Sequence, residues 1–60
     1  MTVNIHFSCD NAAFEGEGAP IEMARILREL AAEIHDGLQA KIIRDINGNR
    51  IGRFELVDDK

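Results

Sequence analysis

The strongest constraint on this chain is an alternation of apolar and polar residues near its beginning, in T-V-N-I-H-F-S-C. Val3, Ile5, Phe7 and Cys9 fall on one face of an extended chain, and the polar residues between them fall on the other. A period of two over residues 2–9 is typical of a half-buried strand. The segment therefore predicts the first strand of a sheet, with its apolar face turned inward.

Length and composition bound the remaining possibilities. The chain has 60 residues, enough for one small domain over residues 1–60, and domains of this size are only marginally stable. The single cysteine excludes an intrachain disulfide, which fits the reducing cytoplasm. The apolar runs are too short to span a membrane, and the first residues lack the pattern of a signal peptide. We therefore expect one cytoplasmic domain.

A helix is predicted to follow the first strand. Pro20 suits a first helical position because its missing N–H would have no partner there. The apolar residues that follow recur every three or four positions, which predicts one core-facing stripe. The predicted stripe is Met23, Leu27, Leu30, Ala31 and Ile34. Ala24 and Ile26 are expected on its two edges, and Gly37 is expected just past the end of the helix.

A hairpin is predicted over residues 38–57, around the N-G turn signature. With a two-residue turn, both faces of the hairpin would mix polar and apolar residues. With a three-residue loop from Ile46 to Gly48, and Gly48 left-handed, Asp45 faces Asn49 and one face becomes apolar away from the turn. A slip of one residue inverts every side chain, so the register with the clean apolar face is predicted.

This register assigns the isoleucines of the hairpin to faces. Ile42 is predicted to face Gly52 beneath the helix. Ile43 and Ile51 are predicted to face each other on the open side of the sheet, where they could centre a small partner or dimer contact. Singly exposed apolar residues are also common on solvated surfaces.

The predicted fold class is α+β, with the order β-α-β-β. One helix packs on a three-stranded antiparallel sheet in which the third strand is central. The last residues, Asp58, Asp59 and Lys60, are expected to fray.

Candidate chemistry is sparse. Cys9 lies three residues after His6, but the two point to opposite faces of the strand, so a core cysteine is favoured over a thiol nucleophile. The glycines of E-G-E-G-A-P precede a helix, as in phosphate loops, but Glu15, Glu17 and Glu22 would repel a phosphate. No catalytic residue, cofactor or metal ligand is predicted, and the protein is not expected to be an enzyme.

Basic residues surround the hairpin turn. Arg44 and Arg50 are predicted to lie opposite each other, and Lys41 and Arg53 to pair on the open face. The chain has a net charge of −4 and no exposed aromatic residue is expected that could stack on a base. A solvated hairpin end is therefore favoured over a nucleic-acid site.

The acidic residues of the helix are more ordered. At about 100° per residue they fall within an arc of about 60° that faces solvent. They are Glu22, Glu29, Glu33 and Asp36. They span about 21 Å of helix, and the phosphates of one DNA strand recur about every 3.4 Å. The stripe fits an ordinary solvated helix face, or a replacement for part of a row of phosphates.

Three strings of the sequence resemble a known group of proteins: N-I-H-F-S-C-D-N-A-A-F, A-R-I-L-R-E-L-A and I-R-D-I-N-G-N-R-I-G. The similarity runs from Asn4 to Phe54, nearly the whole chain, and is to very short phage and prophage proteins. Within that group the chain resembles the type I-C anti-CRISPR proteins, small acidic α/β inhibitors of the Cascade surveillance complex.

The resemblance implies a non-catalytic inhibitor in the cytoplasm of a host bacterium. It would bind a protein subunit of Cascade, the large subunit that recognises the PAM, and block target DNA binding by acidic mimicry, with no direct contact to nucleic acid or membrane. A monomer or weak homodimer is expected. We map the partner-binding surface by geometry onto Glu15, Glu17, Glu22, Glu29, Glu33, Asp36, Ile43 and Ile51.

Two other functions remain open from the residues. One is a small nucleic-acid-binding phage regulator that uses the basic hairpin. The other is a phage structural protein that forms homo-oligomers through the open sheet face.

Overall fold

The computed structural model describes residues 1–58 and contains one helix and three strands. They are β1 (Thr2–Phe7), α1 (Gly18–His35), β2 (Ala40–Arg44) and β3 (Arg50–Val57), with a 3-10 turn at Ala12–Phe14 between β1 and α1. The strands form one antiparallel sheet in the order β1-β3-β2, so the predicted α+β fold with a central third strand is confirmed. Of the three residues predicted to fray, Asp58 directly follows β3 and is exposed, and residues 59–60 lie outside the described residues.

The helix begins at Gly18, two residues before the predicted Pro20, because the chain is already turning ahead of it. The N–H of Gly18 donates to the carbonyl of Glu15 at 3.1 Å. The C-terminal end of the helix is as predicted. Gly37 has a φ of 103°, and the N–H of Leu38 reaches back to the carbonyl of Glu33 at 2.9 Å, which satisfies carbonyls that the helix leaves open.

The core lies between α1 and the sheet. Its buried apolar residues are Phe14, Ile26, Leu30, Ile43 and Phe54. Ile26, predicted at the edge of the stripe, is buried, whereas Leu27 is 47% exposed and Ala31 is exposed. The helix is therefore rotated by roughly 60° from the predicted orientation, which turns the Glu22 side of the helix inward.

The predicted three-residue loop is confirmed. The N–H of Asp45 donates to the carbonyl of Asn49 at 2.9 Å, and Gly48 has a φ of 85°. Beyond the loop the predicted register is wrong. Arg44 lies opposite Arg50, but the register then shifts by one residue at a bulge.

The bulge exchanges the faces of the β2 isoleucines. Ile43 lies opposite Gly52 and is only 2% exposed, so it belongs to the core and not to the open face. Ile51 is the extra residue of the bulge, and it is half-buried against the core. The predicted contact between Ile43 and Ile51 on the open face does not exist, since a one-residue shift turns each side chain over.

The first strand is less covered than its alternation predicts. Ile5 lies opposite Phe54 and therefore shares the face that the helix covers. Phe7 and Cys9 pack against the core, but Val3 and Ile5 remain 55% and 40% exposed. The helix lies towards β2, as its contacts with Lys41 and the hairpin loop show, and leaves the β1 side open.

Candidate functional site

The predicted acidic stripe divides into residues with different environments. Glu22 is buried, at 6% exposure, so the prediction that it faces solvent is wrong. Its carboxylate accepts two hydrogen bonds from Arg25, at 2.7 and 2.8 Å, and one from the N–H of Ile46 at 2.7 Å. The Arg25 side chain holds the pKa of Glu22 below its ordinary value, although burial opposes the shift. Glu22 therefore stabilises the fold and is not available to a partner.

Glu29 and Glu33 are accessible but paired. Glu29 Oε2 lies 2.9 Å from Nη1 of Arg25, and the Glu29 side chain is 57% exposed. Glu33 Oε1 lies 2.6 Å from Nζ of Lys41, with its side chain 42% exposed. Lys41 was predicted on the open face, and the bulge brings it to the helix side instead. The pair of Glu29 is exposed and that of Glu33 is partly buried but still reached by solvent, so each contributes only about 0–1 kcal/mol of stability.

The remaining carboxylates of the predicted set are exposed at the two ends of the helix. Glu15 and Glu17 lie in the turn that precedes α1, and Asp36 lies at the end of the helix. Within residues 1–58 none of the three forms an ion pair. Together with Glu29 and Glu33 they are the accessible carboxylates of the predicted set, and we call this set the acidic edge: Glu15, Glu17, Glu29, Glu33 and Asp36.

A small cleft separates the helix from β2 beside this edge. It is lined by the apolar side chains of Ile26, Leu30 and Ile43 and by charged side chains from both elements. Its volume is about 20 Å³, which is room for a single water. Pockets for small molecules have volumes of about 300 Å³ or more.

The arginines at the hairpin turn lie opposite each other, as predicted. Arg44 and Arg50 are paired across the two strands and are exposed. Nη1 of Arg44 donates to the carbonyl of Gly48 at 3.2 Å. Neither arginine forms an ion pair with a carboxylate in the part of the chain that the structure describes. Arg53, in contrast, pairs with Glu55 at 3.2 Å on the open face.

The hairpin loop contains a buried carboxylate that sequence reasoning missed. Asp45 is 4% exposed, and its oxygens accept hydrogen bonds from the N–H groups of Asn47 and Asn49 and from the side chains of Asn49 and Asn11. Burial by itself would raise the pKa of Asp45. The hydrogen bonds from Asn49, Asn47 and Asn11 outweigh this effect, so the pKa lies below its ordinary value. An Asp side chain at a turn often accepts a hydrogen bond from the backbone N–H two residues later, as Asp45 does from Asn47. The position of Asp45 just before the N-G turn is therefore the sequence signal for this contact.

The fold and the site define a small α+β domain with an acidic edge along one helix and two buried carboxylates at its hairpin end. Among residues 1–58, no helix combines the length and the apolar composition that a membrane crossing requires. The chain matches no protein-family model, no curated protein and no solved structure.

Proposed function

We propose that this protein is a phage-encoded anti-CRISPR inhibitor that binds a type I-C Cascade complex in the host cytoplasm. It acts without catalysis, by presenting carboxylates to a basic surface that otherwise holds target DNA. The large subunit that recognises the PAM is the proposed partner. We infer the host complex from the resemblance described above, and the contact surface from the acidic edge.

One observation carries the proposal. Glu29, Glu33 and Asp36 lie about one turn apart along α1 and remain accessible at its surface. A helix holds its side chains in a fixed array, so the carboxylates need little ordering when a partner binds. Glu15 and Glu17 add two exposed carboxylates just before the helix.

The neighbouring cations do not prevent such binding. Arg25 holds Glu29 through an exposed ion pair, and Lys41 holds Glu33 through a partly buried one, each of which contributes about 1 kcal/mol or less. A basic groove that offers several arginines or lysines can replace these partners at small cost. Long-range attraction would raise the association rate, and this rate should fall as salt is added.

A matched pair of charge reversals tests the proposal. Glu29→Lys and Glu55→Lys each replace an exposed glutamate that is paired with one arginine. Each changes the net charge from −4 to −2, since −1 becomes +1 at one position. Only Glu29 lies on the acidic edge. Target-DNA binding by purified type I-C Cascade is measured against inhibitor concentration, and circular dichroism checks that both variants are folded.

The expected result is a loss of inhibition of at least about tenfold for Glu29→Lys, with Glu55→Lys close to the unchanged protein. Equal inhibition by both variants would rule out the acidic edge as the contact surface. A protein that neither binds Cascade nor affects its DNA binding would overturn the assignment of the host complex itself.

The hairpin supports a second candidate, a small nucleic-acid-binding phage regulator. The observation in its favour is that Arg44 and Arg50 lie side by side without a carboxylate partner among the described residues. Gel shifts with random duplex and single strands test it. Binding that is lost in Arg50→Glu and kept in Arg28→Glu, an exposed helix position, would favour this function. No shift with either nucleic acid would exclude it.

A further inference from the structure

We propose that the free edge of β1 is a homodimer interface, through which two copies join their sheets in antiparallel fashion about a twofold axis. This surface is distinct from the acidic edge, and the proposal does not depend on the Cascade assignment. Four observations carry it: the direction of the backbone groups of β1, the side chains beside them, the lack of charge along the strand, and the contrast with the β2 edge.

The backbone of β1 presents a row of hydrogen-bonding groups to one side. Among residues 1–58, β1 pairs only with β3, in the sheet order β1-β3-β2. The N–H of Ser8 donates towards β3, to the carbonyl of Ile51 at 3.0 Å. Groups that point towards a neighbour alternate along an antiparallel strand. The N–H and C=O groups of Val3, Ile5 and Phe7 therefore point away from β3, to the outside of the sheet.

The same residues carry apolar side chains on the helix side of the sheet. Val3 and Ile5 are 55% and 40% exposed there, and Leu27 on the adjacent flank of α1 is 47% exposed. Leu27 lies about 120° from Glu33 around the helix axis, and Glu33 binds Lys41 of β2. The strand edge thus has exposed apolar side chains directly beside it, at Val3 and Ile5.

A second copy of β1 matches this edge both in its backbone hydrogen-bonding groups and in its apolar side chains. With Ile5 on the twofold axis, Val3 of one copy lies opposite Phe7 of the second copy. All of the outward N–H and C=O groups of these residues then find partners, in about six hydrogen bonds. Opposite residues in an antiparallel pair share a face, so the exposed Val3 and Ile5 side chains of both copies pack together on the helix side of the joined sheet.

Charge favours a second copy at this edge over contact elsewhere. Each copy has a net charge of −4, which opposes self-association over most of the surface. The strand T-V-N-I-H-F contains no Asp, Glu, Lys or Arg, so two copies meet there without facing like charges. The β2 edge differs, because the strand contains Lys41 and Arg44. Charged side chains are a common means of blocking pairing at a sheet edge.

The size of the contact sets its strength. A strand of six residues and a few apolar side chains bury less than the ~800 Å² per partner of a standard interface. The dimer should therefore be reversible, with a Kd on the order of 100 µM.

Sedimentation equilibrium over a concentration series up to about 1 mM tests the proposal at this expected affinity. The variant is Val3→Lys, which places a charge on the apolar side of the edge. Its matched control is Ile21→Lys, which makes a similar change at an apolar residue of α1 that is 72% exposed. We expect Val3→Lys to raise the dimer Kd at least about tenfold and Ile21→Lys to leave it unchanged. Amide exchange of the unchanged protein should show protection of Val3, Ile5 and Phe7 that increases with concentration.

Three results would overturn the proposal. The first is a protein that stays monomeric at about 1 mM, well above the expected Kd. The second is a dimer that both lysine variants weaken equally. The third is concentration-dependent protection of the β2 amides in place of the β1 amides.

Discussion

The carboxylate of Glu22, in the second turn of α1, accepts a hydrogen bond from the backbone N–H of Ile46 in the hairpin loop, at 2.7 Å and across 24 residues of sequence. The same carboxylate is held by Arg25. One acidic side chain thus joins the start of the helix to the end of the hairpin. The contact helps to fix the orientation of the helix, and with it the positions of the acidic edge and of Leu27.

Replacing Glu22 should destabilise the fold more than replacing a neighbouring surface glutamate. Glu22→Ala leaves the N–H of Ile46 and the Arg25 guanidinium without this partner at a buried position, which should cost about 1–3 kcal/mol. Glu29→Ala removes only an exposed ion pair with Arg25 and should cost less than about 0.5 kcal/mol. Urea unfolding followed by circular dichroism measures both. Equal losses of unfolding free energy in the two variants would show that the buried contacts of Glu22 stabilise the fold no more than an exposed ion pair does.

Stability should fall in acid. The pKa values of Glu22 and Asp45 are held below their ordinary values of 4.5 and 3.8 in the folded state. The unfolded chain therefore binds more protons than the folded one as the pH drops. Their contribution is present above about pH 4.5 and is lost as the pH falls through the lowered pKa values. Thermal unfolding from about pH 7 to about pH 3 should show this decline.

The variant Glu22→Gln provides the control for the pH dependence. It removes one of the two titrating groups at the hairpin end, so its melting temperature should fall less steeply below about pH 4.5. A pH profile parallel to that of the unchanged protein would assign the acid sensitivity to other carboxylates.

Gly52→Ala should be severely destabilising. A Cβ at this position would overlap the carbonyl of His6 and the Cα of Phe7, both of which are backbone atoms that cannot move aside. The expected loss is about 2 kcal/mol or more, a large part of the stability of so small a domain. Gly18→Ala is the matched control, because its nearest contact is 3.8 Å away, at the carbonyl of Ala13, and alanine favours helix. Thermal unfolding compares the two variants.

Ile43→Ala tests the register of the hairpin. Ile43 is 2% exposed and belongs to the core, whereas Ile46 in the loop is 66% exposed. Truncating the buried residue should cost about 2–5 kcal/mol, and truncating Ile46 should cost less than about 0.5 kcal/mol. Chemical denaturation decides between registers, since an Ile43 on the open face would make the two losses similar.

Local patterns were sufficient to predict the elements and their order. The alternation from Val3 to Cys9 defines a strand whatever lies beside it, and Gly37 and Gly48 are found where only glycine adopts the required φ easily. The short hairpin predicts that β2 and β3 are antiparallel neighbours, and the pairing of β1 with β3 completes the predicted order. The elements and the hairpin thus depend on neighbouring residues, whereas the pairing of β1 is a long-range contact.

The orientation of the elements was not predictable in the same way. An apolar stripe with Ala24 on one edge and Ile26 on the other permits a range of rotations about the helix axis. The contact between Glu22 and the loop N–H of Ile46 selects one of them. That contact joins residues far apart in sequence, and a buried glutamate breaks the rule that charged residues face solvent.

The sequence by itself determined the strand, helix and hairpin, their order, and the loop at Gly48, because periodicity and turn chemistry act over a few residues. Only the tertiary structure decided which carboxylates stay exposed and which isoleucine enters the core. A single bulged residue, Ile51, turns Ile43 inward and brings Lys41 to Glu33. One extra residue costs little locally, and its position is selected by packing across the whole core.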